Sequence, residues 1–253
     1  MFYSSRSIIL KNRDLREADQ LVTLFSEKAG KITAVAKGTK KPKSSLRACT
    51  QPFCHSYLYT SRGRELDIIS QGKIIDFFGN TREDLTRMLY AVYMMELVDK
   101  SLLDRMPAPG LYRTLLRVLE SMNTDGYNPL MIRFFEISLL VNLGYRPMLE
   151  QCAICGQTAA GASGFNLAEG GLICPSCVQK TDANLVYLSG ESIALLKLMS
   201  AGKSVVMQRI KASPGSLKQM EFFLEKYLEY HLDRKFKMKN TIRQLKQRMS
   251  ISN

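Results

Sequence analysis

Four cysteines place the tightest limit on what this chain can become. Cys152 and Cys155 form one C-x-x-C pair, Cys174 and Cys177 another, with eighteen residues between the pairs. A two-residue gap lets both thiols of one turn reach a single ion. A second such turn completes a tetrahedron with metal–sulfur bonds near ~2.3 Å. Gly156 and Pro175 stand beside the pairs, where tight knuckle turns need them. The spacing predicts a four-cysteine zinc site. The competing readings are two disulfides, which require an oxidising compartment, or four thiols that are merely buried together. With four protein ligands no coordination position stays open, so a metal held this way is structural rather than catalytic.

The charge pattern carries the next constraint. The chain has 253 residues and a net charge of +13. Residues 1–75 carry 14 basic and 6 acidic side chains, and residues 184–253 carry 13 and 5, whereas the stretch between them is slightly acidic. Two basic ends around a near-neutral middle exceed what solubility requires and point to a polyanion, most simply nucleic acid. No apolar run approaches the ~18 residues of a membrane span. The opening Met1-Phe2-Tyr3-Ser4-Ser5-Arg6 lacks the apolar core of a signal peptide. Zinc-spaced thiols, with Cys49 and Cys54 unpaired, fit a reducing cytoplasm.

The pattern predicts an α+β protein. Residues 1–79 read as an OB-fold barrel of five strands, over Ser7–Lys11, Asp19–Ser26, Lys31–Lys37, Phe53–Thr60 and Leu66–Ser70. In the third strand Ile32, Ala34 and Ala36 share one face, and Thr33, Val35 and Lys37 the other. In the fourth, Phe53, His55, Tyr57 and Tyr59 lie opposite Cys54, Ser56 and Leu58. That aromatic row is either a base-stacking surface or barrel core; closed barrels fill their interiors with large side chains, which favours core. Between strands three and four, Lys37, Lys40, Lys41, Lys43 and Arg47 occur within eleven residues without an acid. Gly38 and Pro42 oppose a helix there, so a mobile loop presenting cations to phosphates is expected. Arg62 and Arg64, around Gly63, are further candidates. Cys49, Cys54 and His55 match no metal spacing and read as buried thiols beside a partly exposed imidazole.

From Asn80 the apolar period becomes helical, giving a domain over 80–253 with the zinc ribbon inserted at about 148–183. A helix capped at Asn80 or Thr81 is expected to run to about Leu103. Pro107 and Pro109 should break it, a second helix should span Leu111–Met122, and Asn128-Pro129 should open a third. Within the ribbon, Ser163–Leu167 and Gly170–Ile173 suggest a hairpin. Helices resume at Ser189 and Ser213, and His231 sits on a helix face without a partner cluster. The basic tail, with Lys235, Lys237, Lys239 and Arg243, is a helix end or a disordered arm able to touch phosphates.

Catalytic signatures are weak. Gly202-Lys203-Ser204 has Lys197 where a phosphate loop needs its first glycine, and a helix precedes it. Glu83 and Asp84 are better explained by helix capping than as nuclease carboxylates. The reading is a binding protein and not an enzyme. Its rivals are a zinc-ribbon transcription or RNA-binding factor and a metal-dependent nuclease.

Three segments resemble one family. They are Glu17–Phe25 followed by Gly30–Gly38, Arg133–Glu136 through Leu143–Pro147 and Cys152–Gly156, and Tyr227–Lys239. Together they are similar to the bacterial RecO recombination mediators. Arg16 departs from the small turn residue common there; all four cysteines are present, as in the zinc-bearing branch. The resemblance implies an N-terminal OB-fold and a helical domain carrying a zinc ribbon. It also implies ATP-independent DNA repair work in the nucleoid: binding single- and double-stranded DNA, and annealing strands coated with single-strand-binding protein. Loading of RecA together with RecR belongs to the same implied role.

Overall fold

The computed structural model describes residues 2–179 and 185–251. The expected ribbon boundary near residue 183 falls outside them. The chain forms two compact units, one of residues 1–127 with 236–253, the other of residues 128–235.

The first unit is built on a closed five-stranded barrel of order β1-β2-β3-β5-β4. Its strands are β1 (Phe2–Asp14), β2 (Gln20–Ser26), β3 (Gly30–Ala36), β4 (His55–Ser61) and β5 (Asp67–Asp76), with the short α1 (Leu46–Cys49) between β3 and β4. The five strands and the barrel agree with the sequence reading. The first strand, however, starts five residues earlier than expected. Its opening half, Phe2–Ile8, pairs with β4, while Ser7–Asp14 pairs with β2, a register shift between Ile9 and Lys11 marking the bend. Polar residues at 4–7 hid this strand, because in a barrel only alternate positions need be apolar.

The interior contains Ile9, Val22, Leu24, Ile32, Ala34, Ala36, Cys54, Leu58 and Ile69. Thus Cys54, just before β4, and Ser56 and Leu58 within it are buried, and Tyr57 and Tyr59 lie on the opposite, outer face. The aromatic row divides: Phe53 and His55 are buried, as expected of core, whereas Tyr57 is half-buried and Tyr59 is 48% exposed. Small residues inside permit this arrangement. A Cβ on Gly72 would lie 2.9 Å from Leu58 and 3.2 Å from Cys49. His55 is also buried rather than partly exposed, with Tyr112 edge-on at 6.2 Å. Burial pushes its imidazole pKa down and pushes the Cys49 and Cys54 thiols up.

Residues 79–101 form two helices where one was expected, α2 (Gly79–Glu83) and α3 (Leu85–Ser101). Asp84 is extended between them, and its carboxylate accepts from the Arg87 N–H at 2.8 Å, an N-cap that starts α3 afresh. Pro109 opens α4 (Pro109–Thr124) at a first-turn position where no backbone donor is needed. The stripe Leu111, Leu115, Val118, Leu119 and Met122 is buried, as expected.

A short strap before α4 holds the barrel seam. Arg105 N–H donates to the Lys31 carbonyl at 2.8 Å, and a Cβ on Gly30 would lie 2.1 Å from the Met106 carbonyl oxygen. The fully buried Asp67 accepts from Arg105 Nη2 at 2.8 Å, Tyr3 Oη at 2.6 Å and the Gly63 N–H at 3.3 Å. Burial alone would raise the Asp67 pKa; the bonds from Arg105, Tyr3 and Gly63 outweigh it and hold the carboxyl below its ordinary value.

The second unit is organised around α5 (Pro129–Asn142), capped by Asn128 Oδ1 at the Leu130 N–H. Leu130 to Ile137 are all buried, including an Arg133–Glu136 ion pair at 3.0 Å. Strands β6 (Gly164–Asn166), β7 (Gly171–Ile173) and β8 (Leu185–Tyr187) form a sheet of order β7-β6-β8, interrupted by α6 (Pro175–Val178). The β6–β7 hairpin was expected; β8 was not. Helices α7 (Gly190–Ser200), α8 (Ser204–Arg209) and α9 (Pro214–Leu232) complete the unit. Ser189 and Ser213 cap α7 and α9 through their hydroxyls. His231 lies on the face of α9, where it stacks on Tyr145 at 4.2 Å and meets Tyr227 edge-on at 4.4 Å.

The basic tail is a helix, α10 (Lys237–Ile251), belonging to the first unit. Glu96 of α3 accepts from the N–H groups of Lys237 and Met238 at 3.0 and 2.9 Å, capping α10 from a distance in sequence. Among the described residues no helix is long and apolar enough to cross a membrane.

The Asp67 cluster yields a pH-dependent expectation. Because the folded pKa lies below the unfolded one, its contribution is present above the unfolded value of ~3.9 and fades as pH falls through the folded one. Asp67→Asn should cost roughly 2–3 kcal/mol at pH 7, the scale of hydrogen bonds to a charged group. Chemical denaturation of both proteins at pH 7 and pH 3 should show that gap narrowing in acid.

Candidate functional site

Two sites emerge, one in each unit. In the first, the β1–β2 turn and the β3–β4 loop enclose an open groove of about 590 Å³, lined by Ala18, Asp19, Lys37, Lys41, Lys43 and Ser70, among others. Hydrogen bonds brace the loop. Asp19 Oδ1 accepts from the Gly38 N–H at 2.8 Å, and Lys40 N–H donates to the Ala18 carbonyl at 3.1 Å. Gly38 at φ 67° makes the turn, and Thr39 is buried beneath it. Arg47 folds back, its Nη2 donating to the Lys40 carbonyl at 2.7 Å.

The five cations of this loop therefore divide by task. Lys37, Lys41 and Lys43 face the groove, whereas Arg47 ties the loop together. Lys40 Nζ lies 2.6 Å from Asp14, whose carboxyl is held below its usual value by that ammonium. Arg62 and Arg64 are exposed in the β4–β5 turn and do not line the groove. Of the tail candidates, Lys235, Lys237 and Arg243 are exposed. Lys239 is 5% exposed with its ammonium 5.4 Å from the Tyr93 ring, so it is packing rather than surface charge. Asp19 and Ser70 were not anticipated; a turn acid and a strand serine carry no signal until the fold brings them beside the loop.

In the second unit all four predicted sulfurs converge. Cys152, Cys155, Cys174 and Cys177 place their Sγ atoms within 4.8 Å of one another. Two hydrogen-bonded turns achieve this: Gly156 N–H donates to the Cys152 carbonyl at 2.9 Å, and Cys177 N–H to the Cys174 carbonyl at 2.9 Å. Gly156 adopts φ 71°, and Pro175 opens α6 directly after Cys174. All six cysteines are unbridged, which sets aside the disulfide reading. Cys155 and Cys174 are 3.8 Å apart, about the edge of a tetrahedron with ~2.3 Å bonds.

The electrostatics suit a cation. Burial alone would raise the Cys152 thiol, yet N–H groups of Cys174, Cys155 and Ile154 lower it to about 6. Hydrogen bonds with Cys174 head the causes that push Cys177 up to about 12. Sulfurs this close cannot all carry charge unaided, and a metal ion held among them would supply the compensation. Ile173, Ala153, Val178 and Leu185 surround the cluster, and Phe165 of β6 packs on Phe223 of α9 at 4.7 Å. Four donors and no carboxylate make a closed site able to hold a metal ion.

Elsewhere the structure supports the weak catalytic signals being structural. Asp84 is spent on its cap, and Lys203-Ser204 begins α8 after a preceding helix.

With this geometry established, comparison with known proteins is decisive. The family description "Recombination protein O N terminal" matches residues 1–78 and "Recombination protein O C terminal" matches residues 82–240. A protein of Syntrophomonas wolfei named DNA repair protein RecO is 50% identical over 249 residues, spanning 98% of this chain and 99% of its own. The like-named protein of Desulforamulus reducens is 34% identical, covering 93% of this chain and 91% of its own. That of Oceanobacillus iheyensis is 38% identical over 76% of this chain and 74% of its own. Two family matches that together cover residues 1–78 and 82–240, and a 50% identity over 98% of the chain, make it a member of the RecO family of DNA repair proteins.

Proposed function

We propose that this protein is a recombination mediator. It binds single- and double-stranded DNA, anneals complementary strands, and helps load RecA on DNA coated with single-strand-binding protein, acting with RecR and without ATP. Its place of work is the cytoplasm, at the nucleoid. The carrying observation is the groove rimmed by Lys37, Lys41 and Lys43. Three ammonium groups on a hydrogen-bonded frame grip a backbone without reading sequence, and leave bases free to find a complement. Asp19 lines the same groove but is engaged by the Gly38 N–H, which moderates its repulsion of phosphate. Arg62, Arg64, Lys235, Lys237 and Arg243 are exposed and serve as secondary phosphate contacts. The role is binding, so no bond in the DNA is made or broken.

In this reading residues 1–79 hold nucleic acid, and residues 80–253 carry the ribbon and the protein-facing functions. Cys152, Cys155, Cys174 and Cys177 hold Zn2+, which supplies positive charge and fixes the ribbon; the sulfurs prefer it over harder ions. A zinc-ribbon RNA-binding factor would share the basic groove, and competition between RNA and single-stranded DNA separates the two readings.

Replacing Lys37, Lys41 and Lys43 by alanine should weaken binding to every oligonucleotide. It should also lower the slope of log K against log salt by roughly 2 for single strands, at ~0.7 for each phosphate no longer neutralised. Fluorescence anisotropy from low to moderate salt measures both, and unchanged affinity would remove the groove from consideration. Cys174→Ser should release zinc, read by metal analysis of the purified protein. A loss of ~2 kcal/mol of ribbon stability lowers Tm by roughly 4–8 °C, while DNA affinity in the groove should persist.

A further inference from the structure

Apart from Ser70, the groove does not use the outer face of β1, β4 and β5, where strand register gathers an unexpected set of side chains. Across the three strands Arg6, Tyr57 and Lys73 form one row, Ser4, Tyr59 and Gln71 the next, and Phe2, Ser61 and Ile68 the third. Tyr59 is 48% exposed and Phe2 82%; Arg6, Gln71 and Lys73 are exposed too. Tyr57 and Tyr59 meet edge-to-face at 5.4 Å, and the Tyr57 hydroxyl is fixed by Ser4 Oγ at 2.8 Å. Rings are thus held in place, with cations on either side, and none of these positions carries a carboxylate.

We propose that this face is a second nucleic-acid surface, on which unpaired bases of a single strand stack on Tyr57, Tyr59 and Phe2 while Arg6 and Lys73 meet the flanking phosphates. The inference rests on the reading that the protein binds DNA. Three features select this occupant. Alternate residues of β4 are about 6.6 Å apart, the Tyr57 and Tyr59 rings they carry are 5.4 Å apart, and Phe2 stands on the neighbouring β1, so the rings lie within reach of successive nucleotides. Stacking accepts any base, which suits a sequence-independent mediator. The flanking charges are positive, complementary to phosphate and not to a basic partner. A duplex hides its base faces and gains nothing here, so the platform distinguishes single strands from double, a distinction the lysine groove does not make.

The test compares four variants with the wild-type chain on a 20-nucleotide thymidine strand and a duplex of equal length. Leucine at both tyrosines (Tyr57→Leu with Tyr59→Leu) keeps apolar bulk but removes the rings. It should lower single-strand affinity by roughly tenfold per base unstacked, leave duplex affinity unchanged and keep the salt slope. Phenylalanine at both should restore single-strand binding, since the ring and not the hydroxyl does the stacking. The groove variant should lose affinity for both nucleic acids. The protein has no tryptophan, so Tyr59→Trp adds a sole indole whose emission should be quenched by the single strand and not by the duplex. Wild-type single-strand affinity in the leucine variant, or an unquenched indole at saturation, overturns the platform. Failure of the DNA-binding reading itself would show differently, as no binding by the wild-type chain.

Discussion

The barrel closes because one strand serves two neighbours, and most of what the first unit offers to solvent follows from that. β1 pairs with β4 through its first half and with β2 through its second, bending where the register shifts between Ile9 and Lys11. Closure leaves no strand edge to be satisfied by another molecule. It also fixes which alternate residues are inside. Once Cys54, just before β4, and Ser56 and Leu58 within it are committed to the interior, Tyr57 and Tyr59 have no choice but the outer face. The seam between β3 and β5, paired over only Ala34–Ala36 and Asp67–Ile69, is the barrel's shortest. There the buried Asp67 gathers Arg105, Tyr3 and the Gly63 N–H.

Charge is distributed by function rather than by density. The densest basic segment of the chain spends Arg47 and Lys40 on its own architecture and keeps Lys37, Lys41 and Lys43 for the groove. Bracing matters energetically, because a loop already ordered gives up less freedom when a phosphate arrives. The tail shows the same economy. Lys239 covers Tyr93, Lys100 lies 5.5 Å from the Phe236 ring, and Glu96 caps α10.

In the second unit the organising constraint is the convergence of four sulfurs. Paired thiols at C-x-x-C spacing reach one point only if each turn curls tightly, and the Gly156 and Cys177 amide bonds supply that curl. The hydrophobic contact of Phe165 with Phe223 and Tyr227 then joins the ribbon to α9. A ribbon this small buries too little to hold itself without such anchors.

The sequence by itself determined the periodicities and the local chemistry. Alternation gave five strands and the inner face of β3, turn residues gave the caps at Asn128, Ser189 and Ser213, and C-x-x-C spacing gave the four sulfurs. Each of these depends on residues a few positions apart, where covalent geometry already dictates who can meet. Only the tertiary structure decided the rest: the doubling of β1, the outward turn of Tyr57 and Tyr59, the burial of His55 under Tyr112, and the return of the tail onto Glu96. Those depend on contacts between residues far apart in the chain, and local pattern is blind to them. A tyrosine row reads the same from either side until closure of the barrel chooses its face.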